Sequence, residues 1–441
     1  MFVNIKKISI FAVTSFAGRS TFRKFFLPEK IPIRMQIVEV KSREERKEFL
    51  DFPRRLYKDD PYWVCPLDDD TESLFDPAIN HLLKEGEAAR WILRNGDGTT
   101  IGRIAAFIDP VRAKVYNQKT GGMGFFEVID DREAAFALFD TAIKWNIEKG
   151  MEAVDGPINF GENDTNWGLL VDGFMQQAYG MPYNMKYYRD FFEDYGFRNY
   201  FEQYSYHRMV RNGKNEIIEF PPRIMKIAEW LSRRPGYSFR HFSFAQKEKF
   251  AADFVDIYNS TWSAFKEDFT PAVPGMIEGF FKKASQILDE ELVWFAYFND
   301  KPIAFFVLIP DVNQIIKYFN GRLTLWNKLR FVYYKANHRM TRARAIVGGV
   351  NPLYHNSGVE SAIFLHIYQA FRKKPWFNEL ELSWVGDFNP KMMAIYEAIG
   401  ANKAKTHITF RYLVDRDAPF MRYKDEMFEK SKLAERIEGR K

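Results

Sequence analysis

The sequence predicts an α/β (α+β) protein built as two tandem repeats. Three observations lead there. Apolar residues switch along the chain between the two-residue period of strands and the 3.6-residue period of helices. Two strand pairs are joined by short turns rich in Gly, Asn and Asp, the chemistry of hairpins. The order β-α-β-β-β-α-β-α-β, read before the break at Glu219-Phe220-Pro221-Pro222, recurs after it with a second early helix and an insert, degenerate in sequence but matched in order. At 441 residues the chain exceeds an ordinary single domain, and 46% hydrophobic residues suffice for more than one core.

In the first repeat, Met35 to Val40 reads as a strand. Arg43 to Tyr57 reads as a helix whose apolar side is Phe49, Phe52 and Leu56. Asp59-Asp60-Pro61-Tyr62-Trp63 is a turn. Ala88 to Leu93 and Ile101 to Ile108 flank Asn95-Gly96-Asp97-Gly98 as a hairpin. Met123 to Val128 is a strand, and Arg132 to Lys149 a helix with Ala135, Leu138, Phe139, Ala142, Ile143 and Trp145 inward. Ala153 to Pro157 is a short strand, followed by a polar loop from Asn159 to Gly173. Lys186 to Tyr195 is a helix stopped by Gly196, and Phe201 to Met209 closes the repeat as a strand.

In the second repeat, Tyr237 to Phe242 is a strand, with helices at Lys247 to Ala264 and Met276 to Leu288. Glu291 to Phe298 and Pro302 to Ile309 form a hairpin about Asn299-Asp300-Lys301. An insert from Leu323 to Met340 is aromatic and basic, with Trp326, Phe331, Tyr333 and Tyr334 beside Lys328, Arg330, Lys335 and Arg339. Arg342 to Val350 is a strand, Gly358 to Lys373 a helix and Glu379 to Trp384 a strand. Pro390 to Ile399 is a helix ended by Gly400, and Lys405 to Val414 is the last strand. Domain limits follow at 1–34, 35–218, 222–415 and 416–441, the last a charged helical tail from Tyr423 that reads as solvated.

Charge bears on one class of partner. Residues 1–34 hold seven basic residues against Glu29 alone, so of the formal +6 nothing is left for the rest of the chain. The basic balance is therefore no sign of a nucleic-acid face on the body, and no nucleic-acid partner is expected. The leader has three readings: a signal-like apolar run from Ile8 to Ala17, a basic aromatic membrane-surface segment around Phe22, Phe25 and Phe26, or an upstream extension with Met35 as the natural start. The last is preferred. No stretch is long and apolar enough to span a bilayer, so the body is expected in the cytoplasm or peripheral to a membrane. Cys65 is the only cysteine, which excludes an internal disulfide, and seven scattered His show no metal-binding spacing. No metal is expected.

The stretch from Ala345 to Phe371 carries the chemistry. A strand breaks at Asn351-Pro352, and Gly358 opens a helix with Val359, Ile363, Ile367 and Phe371 on one side. The first N–H groups of such a helix lack internal partners and attract negative charge, so this is an anion cradle suited to a pyrophosphate. A plain strand-to-helix turn has the same pattern.

The residues Val350-Asn351-Pro352-Leu353-Tyr354-His355-Asn356-Ser357-Gly358-Val359-Glu360-Ser361-Ala362-Ile363 resemble the strand–loop–helix motif of the GNAT acyltransferase superfamily. Asn389-Pro390-Lys391-Met392-Met393-Ala394-Ile395-Tyr396-Glu397-Ala398-Ile399-Gly400 is similar to that superfamily's closing element. The layout also resembles a bacterial group of tandem GNAT proteins to which bacterial ceramide synthases are similar. The resemblance implies two GNAT-like repeats, each a mixed, mostly antiparallel sheet flanked by helices. It implies acyl-CoA or acetyl-CoA as co-substrate, or an acyl-carrier-protein thioester. Val350, Tyr354, Asn356, Ser357, Gly358, Val359 and Glu360 would bind the donor, with Asn389 on its pantetheine arm. Tyr396 matches the tyrosine that protonates the leaving thiolate; packing is its alternative.

Two departures stand out. His355 and Glu360 replace the motif's usual residues, and a carboxylate at 360 opposes phosphate. The first repeat's equivalent, Val128-Ile129-Asp130-Asp131-Arg132-Glu133, is acidic and lacks glycine, so donor binding is expected in the second repeat only.

For the general base, Glu381 (sharing a strand face with Ser383), Asp387 and His355 are candidates, with His407 a further one. Glu162, Asn163, Asp164, Asn166 and Asp172 form a polar loop cluster, functional or merely solvated, and Glu127 lines a cleft or pairs with an arginine. The expected function is N-acyl transfer to an amine, with a lipid or sphingoid amine suggested by the aromatic insert. The rivals are a non-catalytic binding module and an aminoacyl-tRNA-dependent transferase of the peptidoglycan-bridge type.

Overall fold

Helix starts are written locally. Ser42 and Glu45 form a reciprocal capping box, so the chain turns helical at Arg43. Asp131 and Asn389 each accept a backbone N–H three residues on and start helices at Arg132 and Pro390. In the computed structural model, which describes residues 35–110, 112–114, 118–160, 168–263 and 271–429, these and the remaining elements assemble around one sheet.

The first half comprises β1 (Gln36–Glu39), α1 (Arg43–Leu56), α2 (Asp68–Ser73), β2 (Glu87–Arg94), β3 (Thr100–Ile108), β4 (Thr120–Val128), α3 (Arg132–Glu148), β5 (Ala153–Gly156), β6 (Leu169–Asp172), α4 (Tyr188–Tyr195) and β7 (Arg198–Met209). The second comprises α5 (Pro222–Ser232), β8 (Tyr237–His241), α6 (Lys247–Trp262), α7 (Pro274–Ala284), β9 (Val293–Phe298), β10 (Lys301–Pro310), α8 (Asn313–Ile316), α9 (Leu325–Ala336), β11 (Arg342–Val350), α10 (Val359–Lys373), β12 (Glu379–Gly386), α11 (Pro390–Ala398) and β13 (Asn402–Leu413). The mixed, mostly antiparallel sheet flanked by helices is as expected. Helix α5 is new: Pro221-Pro222 reads as a break in the sequence, yet Pro222 is the first helical residue, a position where its missing N–H costs nothing. The insert is helical as α9.

The sheet has 13 strands in the order β1-β2-β3-β4-β5-β13-β7-β12-β11-β10-β9-β8, with β6 also on β13. The last strands of the two halves have changed places. β13 lies between β5 and β7, and β7 pairs with β12. From Met35 onward the chain therefore gathers into one unit.

Side chains alternate between the faces. In the second half, Phe295, Tyr297, Phe305 and Val307 turn to α6 and α7, whereas Ala296, Ala304, Phe306 and Leu308 turn to α5 and α10. In the first half, Trp91, Leu93, Ile104, Ala106, Phe126 and Val128 pack on α3 and α4. Glu127 points the other way and pairs with Arg103, so it is a structural carboxylate within a core.

The leader, residues 1–34, lies outside the described residues, as do Glu162, Asn163, Asp164, Asn166 and the chain beyond 429. Asp172 is exposed in β6. The described start of the tail is not solvated as the sequence suggests. Glu426 is buried and accepts a hydrogen bond from the Tyr200 hydroxyl at 3.0 Å, and the Tyr423 ring packs on Phe201 and Phe388.

Candidate active site

Parallel strands β11 and β12 pair only from Arg342 to Arg344 against Glu379 to Glu381. Both continue, to Val350 and to Gly386, without pairing each other again. They diverge and leave a wedge that opens at their carboxyl ends, where the loops of a parallel pair emerge together. A β-bulge takes Ile346 out of register with β10 inside that wedge.

The first half has the corresponding pair, β4 and β5, joined from Thr120 to Gly122 against Ala153 to Asp155. Its wedge is closed by the chain itself. Beyond β5, the Ile158 N–H donates to the Met123 carbonyl at 2.8 Å, and the Phe125 N–H donates to the Asn159 side chain at 3.2 Å. A Cβ on Gly124 would stand 1.9 Å from the Ile158 carbonyl oxygen, so the backbones touch there.

The two helix N-termini differ in the same sense. Asp131 caps α3 with its own carboxylate, at 3.0 Å from the Ala134 N–H. Helix α10 starts at Gly358 in a left-handed conformation, φ 86°, with no side-chain cap. The Glu360 carboxylate lies on its own N–H, and the Val359 N–H carries no side-chain cap.

The loop ahead of α10 is fixed from within. Asn351 accepts the Leu353 N–H at 3.1 Å and reaches the Ser260 hydroxyl at 3.3 Å. The His355 ring nitrogen Nε2 lies 3.2 Å from the Val350 carbonyl. Tyr354 packs its ring on Phe298 at 5.8 Å. Asn356 is left-handed at φ 63° and exposed. The Ser357 hydroxyl is enclosed without a hydrogen bond among the described residues. Buried Val359 anchors the first turn. Glu360 is half-buried, and burial pushes its carboxyl up, opposed by the hydrogen bond to its own backbone N–H and then by His355.

Asp387 and Asn389 follow the end of β12, and Tyr396 lies on α11. Burial pushes the Asp387 carboxyl up, although Arg422 reaches it at 2.8 Å from the tail. Asn389 is exposed and accepts the Met392 N–H at 3.2 Å. Tyr396 is 4% exposed, with its ring 5.4 Å from Tyr206. Burial, then Tyr206, pushes its phenol up, so it stays protonated.

Glu381 is placed elsewhere. It is buried at the sheet centre between Lys405 of β13 and Arg342 of β11, the latter at 3.4 Å. Arg342 also pairs with Asp311 at 2.8 Å. Ser383 does not simply share its face, because a bulge between Leu382 and Val385 breaks the alternation. His407 is fully buried, and desolvation with Lys405 nearby pushes it down to about 3.

Local reading misses several participants. Arg422, Lys405 and Asp311 join this region through contacts far apart in sequence. A first-half loop also reaches the second half: Ala178 and Met181 pack on Trp384 of β12, and the Tyr179 N–H donates to Asp311 at 2.9 Å. Nothing in the local sequence of that loop signals it.

The chain has a tandem GNAT fold. Among solved structures, a tandem GNAT protein from the clavulanic acid biosynthesis pathway superimposes with a TM-score of 0.51 at 10% identity, covering 88% of this chain and 100% of that one. The GCN5-related glucosamine N-acetyltransferase region of a fungal multi-domain GH3 beta-N-acetylglucosaminidase gives 0.53 at 10% identity, covering 86% of this chain but only 38% of that longer one. Two bacterial proteins align in sequence along most of their length. Protein YghO of Escherichia coli is 25% identical over 376 residues, 83% of this chain and 92% of YghO. The bacterial ceramide synthase of Caulobacter vibrioides is 25% identical over 378 residues, 85% of this chain and 96% of that protein. No protein-family profile matches the chain.

Proposed function

We propose that this protein is an N-acyltransferase that moves an acyl group from a CoA or acyl-carrier-protein thioester to an amine, using the second half's wedge for the donor. One contrast carries the proposal. Of two equivalent wedges, the first is filled by residues 157–159 and faces a helix already capped by Asp131, whereas the second is followed by an uncapped, glycine-opened helix. A pyrophosphate would lie on the Val359 N–H, take the Glu360 N–H from that residue's own carboxylate, and use the Ser357 hydroxyl. The pantetheine arm would run between β11 and β12 toward the exposed Asn389 side chain. Near the bulge at Ile346, backbone N–H groups would polarise the thioester carbonyl.

The amine attacks the carbonyl carbon, the C–S bond breaks as the new amide forms, and the amine's proton leaves. Asp387, at the open end of β12, is the base assigned here, acting directly or through one water. Tyr396 supplies the proton to the departing thiolate. Glu381 ties β12 to β13 across the intervening β7 through Lys405, and His355 holds the loop by its contact with Val350. The name of the Caulobacter relative, ceramide synthase, supports a long-chain sphingoid amine as acceptor, with acetyl transfer to a small amine as the simpler case.

Thermal shift with acetyl-, palmitoyl- and free CoA tests donor binding. A ligand at 100 times its Kd stabilises by about 2.7 kcal/mol, which is easily read. Stabilisation by at least one thioester is expected. None, with the chain folded, sinks the acyl-CoA reading, and none with an acyl-carrier-protein thioester either favours a non-catalytic binding module, the reading that Glu360 supports. Given a binder, Tyr396→Phe should lower turnover by roughly 10²- to 10⁴-fold with donor binding retained. Unchanged turnover removes Tyr396 from the mechanism.

A further inference from the structure

Helix α9 buries one side and leaves the other bare. Asn327 is buried beneath it, while Phe331 and Tyr334 pack on Val312, Ile315, Ile316 and Phe319. The opposite side carries Leu325 (76% exposed), Trp326 (69%), Leu329 (55%), Val332 (62%) and Tyr333 (63%). Their spacing of one, three, three and one residues lines them up as a single stripe. Apolar side chains this large, this exposed and contiguous are unusual on a soluble surface and mark a contact.

Charge around the stripe selects the partner. Lys328 and Arg330 follow on its two flanks, Arg330 also donating to the Tyr318 carbonyl at 3.4 Å, and Lys335 at its end donates to the Gln286 carbonyl at 2.6 Å. No Asp or Glu occurs between Asp311 and Glu360. From elsewhere, Asp51 lies 3.7 Å from Arg322 ahead of the helix, and the Asp68 N–H donates to the Gly321 carbonyl at 2.8 Å. A second copy of the same face would set these cations against each other. A nucleic acid would satisfy the cations but leave Leu325, Leu329 and Val332 in water. An anionic bilayer meets both needs, taking the stripe into its acyl boundary while Lys and Arg reach its headgroups.

We propose that the outer face of α9 docks this protein on an anionic membrane surface. The inference stands apart from the acyl-transfer reading, since binding is measured without turnover. Where both hold, the docked face delivers the protein to amines resident in a bilayer.

The test uses the full chain carrying Val332→Cys, labelled with an environment-sensitive fluorophore; Cys65 is buried and competes little. On vesicles with about a third phosphatidylglycerol the label should shift to the blue and be quenched by lipid-borne quenchers, and vesicles of phosphatidylcholine alone should have little effect. In the unlabelled chain, Leu329→Glu with Tyr333→Glu should lower partition onto anionic vesicles about tenfold or more, with an unchanged melting temperature because both residues are exposed. No shift on anionic vesicles, or equal partition by the double variant, overturns the proposal. So does a label already blue in buffer, which would mean that another part of the chain covers the face. A concentration-dependent dimer abolished by the same double variant assigns the face to a second copy and overturns it too.

Discussion

Glu360 sits where a phosphate-binding helix would do best without a negative charge. Its half-buried carboxyl is pushed up by desolvation, so the folded protein holds that proton more tightly than the unfolded chain does. The linkage has a definite sign. Stability from this group is full below the ordinary glutamate value of 4.5 and is lost as pH rises through the higher folded value. Glu360→Gln should therefore raise the melting temperature at pH 7 to 8, with the difference shrinking toward pH 4.5. The same change should tighten CoA binding at pH 8 by roughly fivefold, about 1 kcal/mol for one charge near a helix N-terminus. Equal CoA affinity of the two proteins across pH 5 to 8 would place the phosphates away from Glu360. The residue's conflict with the site was legible from its position in the motif. The confinement of Glu381 was not, because Lys405 lies on a strand whose placement no local pattern reveals.

At the scale of elements, the strand–loop–helix from β11 to α10 was readable almost to the residue: Arg342–Val350 and Val359–Lys373 are found where periodicity and Gly358 put them. Gly358 is needed for two reasons. Its φ of 86° disfavours any residue with a Cβ, and that Cβ would stand 2.7 Å from the Ile227 side chain of α5. Gly358→Ala should cost roughly 1–2 kcal/mol in urea unfolding and weaken donor binding. A fully stable variant would mean that the loop shifts without cost. Helix α5 itself escaped prediction because Pro221-Pro222 signals both a chain break and a helix start, and only packing on α10 decides between them.

For the whole molecule, the exchange of β7 and β13 has a mechanical consequence. Each half takes a central strand from the other, so the first core includes Ile408 and Phe410 and the second includes Tyr206. A chain ending at residue 401 lacks β13 and should lose both cores rather than one. Expressed with a stop at that point it should be insoluble or molten, whereas the full chain should unfold in urea in one cooperative transition seen alike by fluorescence and circular dichroism. Two separate transitions in the full chain would show that the halves hold together independently of the exchanged strands. Association of the halves also carries Ala178 and Met181 onto β12, so the first half contributes to the second half's cleft even though its own wedge is closed.

The sequence by itself determined the local matters: the order of strands and helices, the repeat, the single glycine-opened loop and the acidic one without glycine. These depend on periodicity, turn chemistry and capping, which act over a few residues. Only the tertiary structure decided which strand neighbours which, that residues 157–159 fill one wedge, that Glu381 is locked to Lys405 while Asp387 meets Arg422, and that the apolar stripe of α9 faces outward. Those outcomes depend on contacts between residues far apart in the chain, and they are set by burial and pairing once the whole sheet has formed.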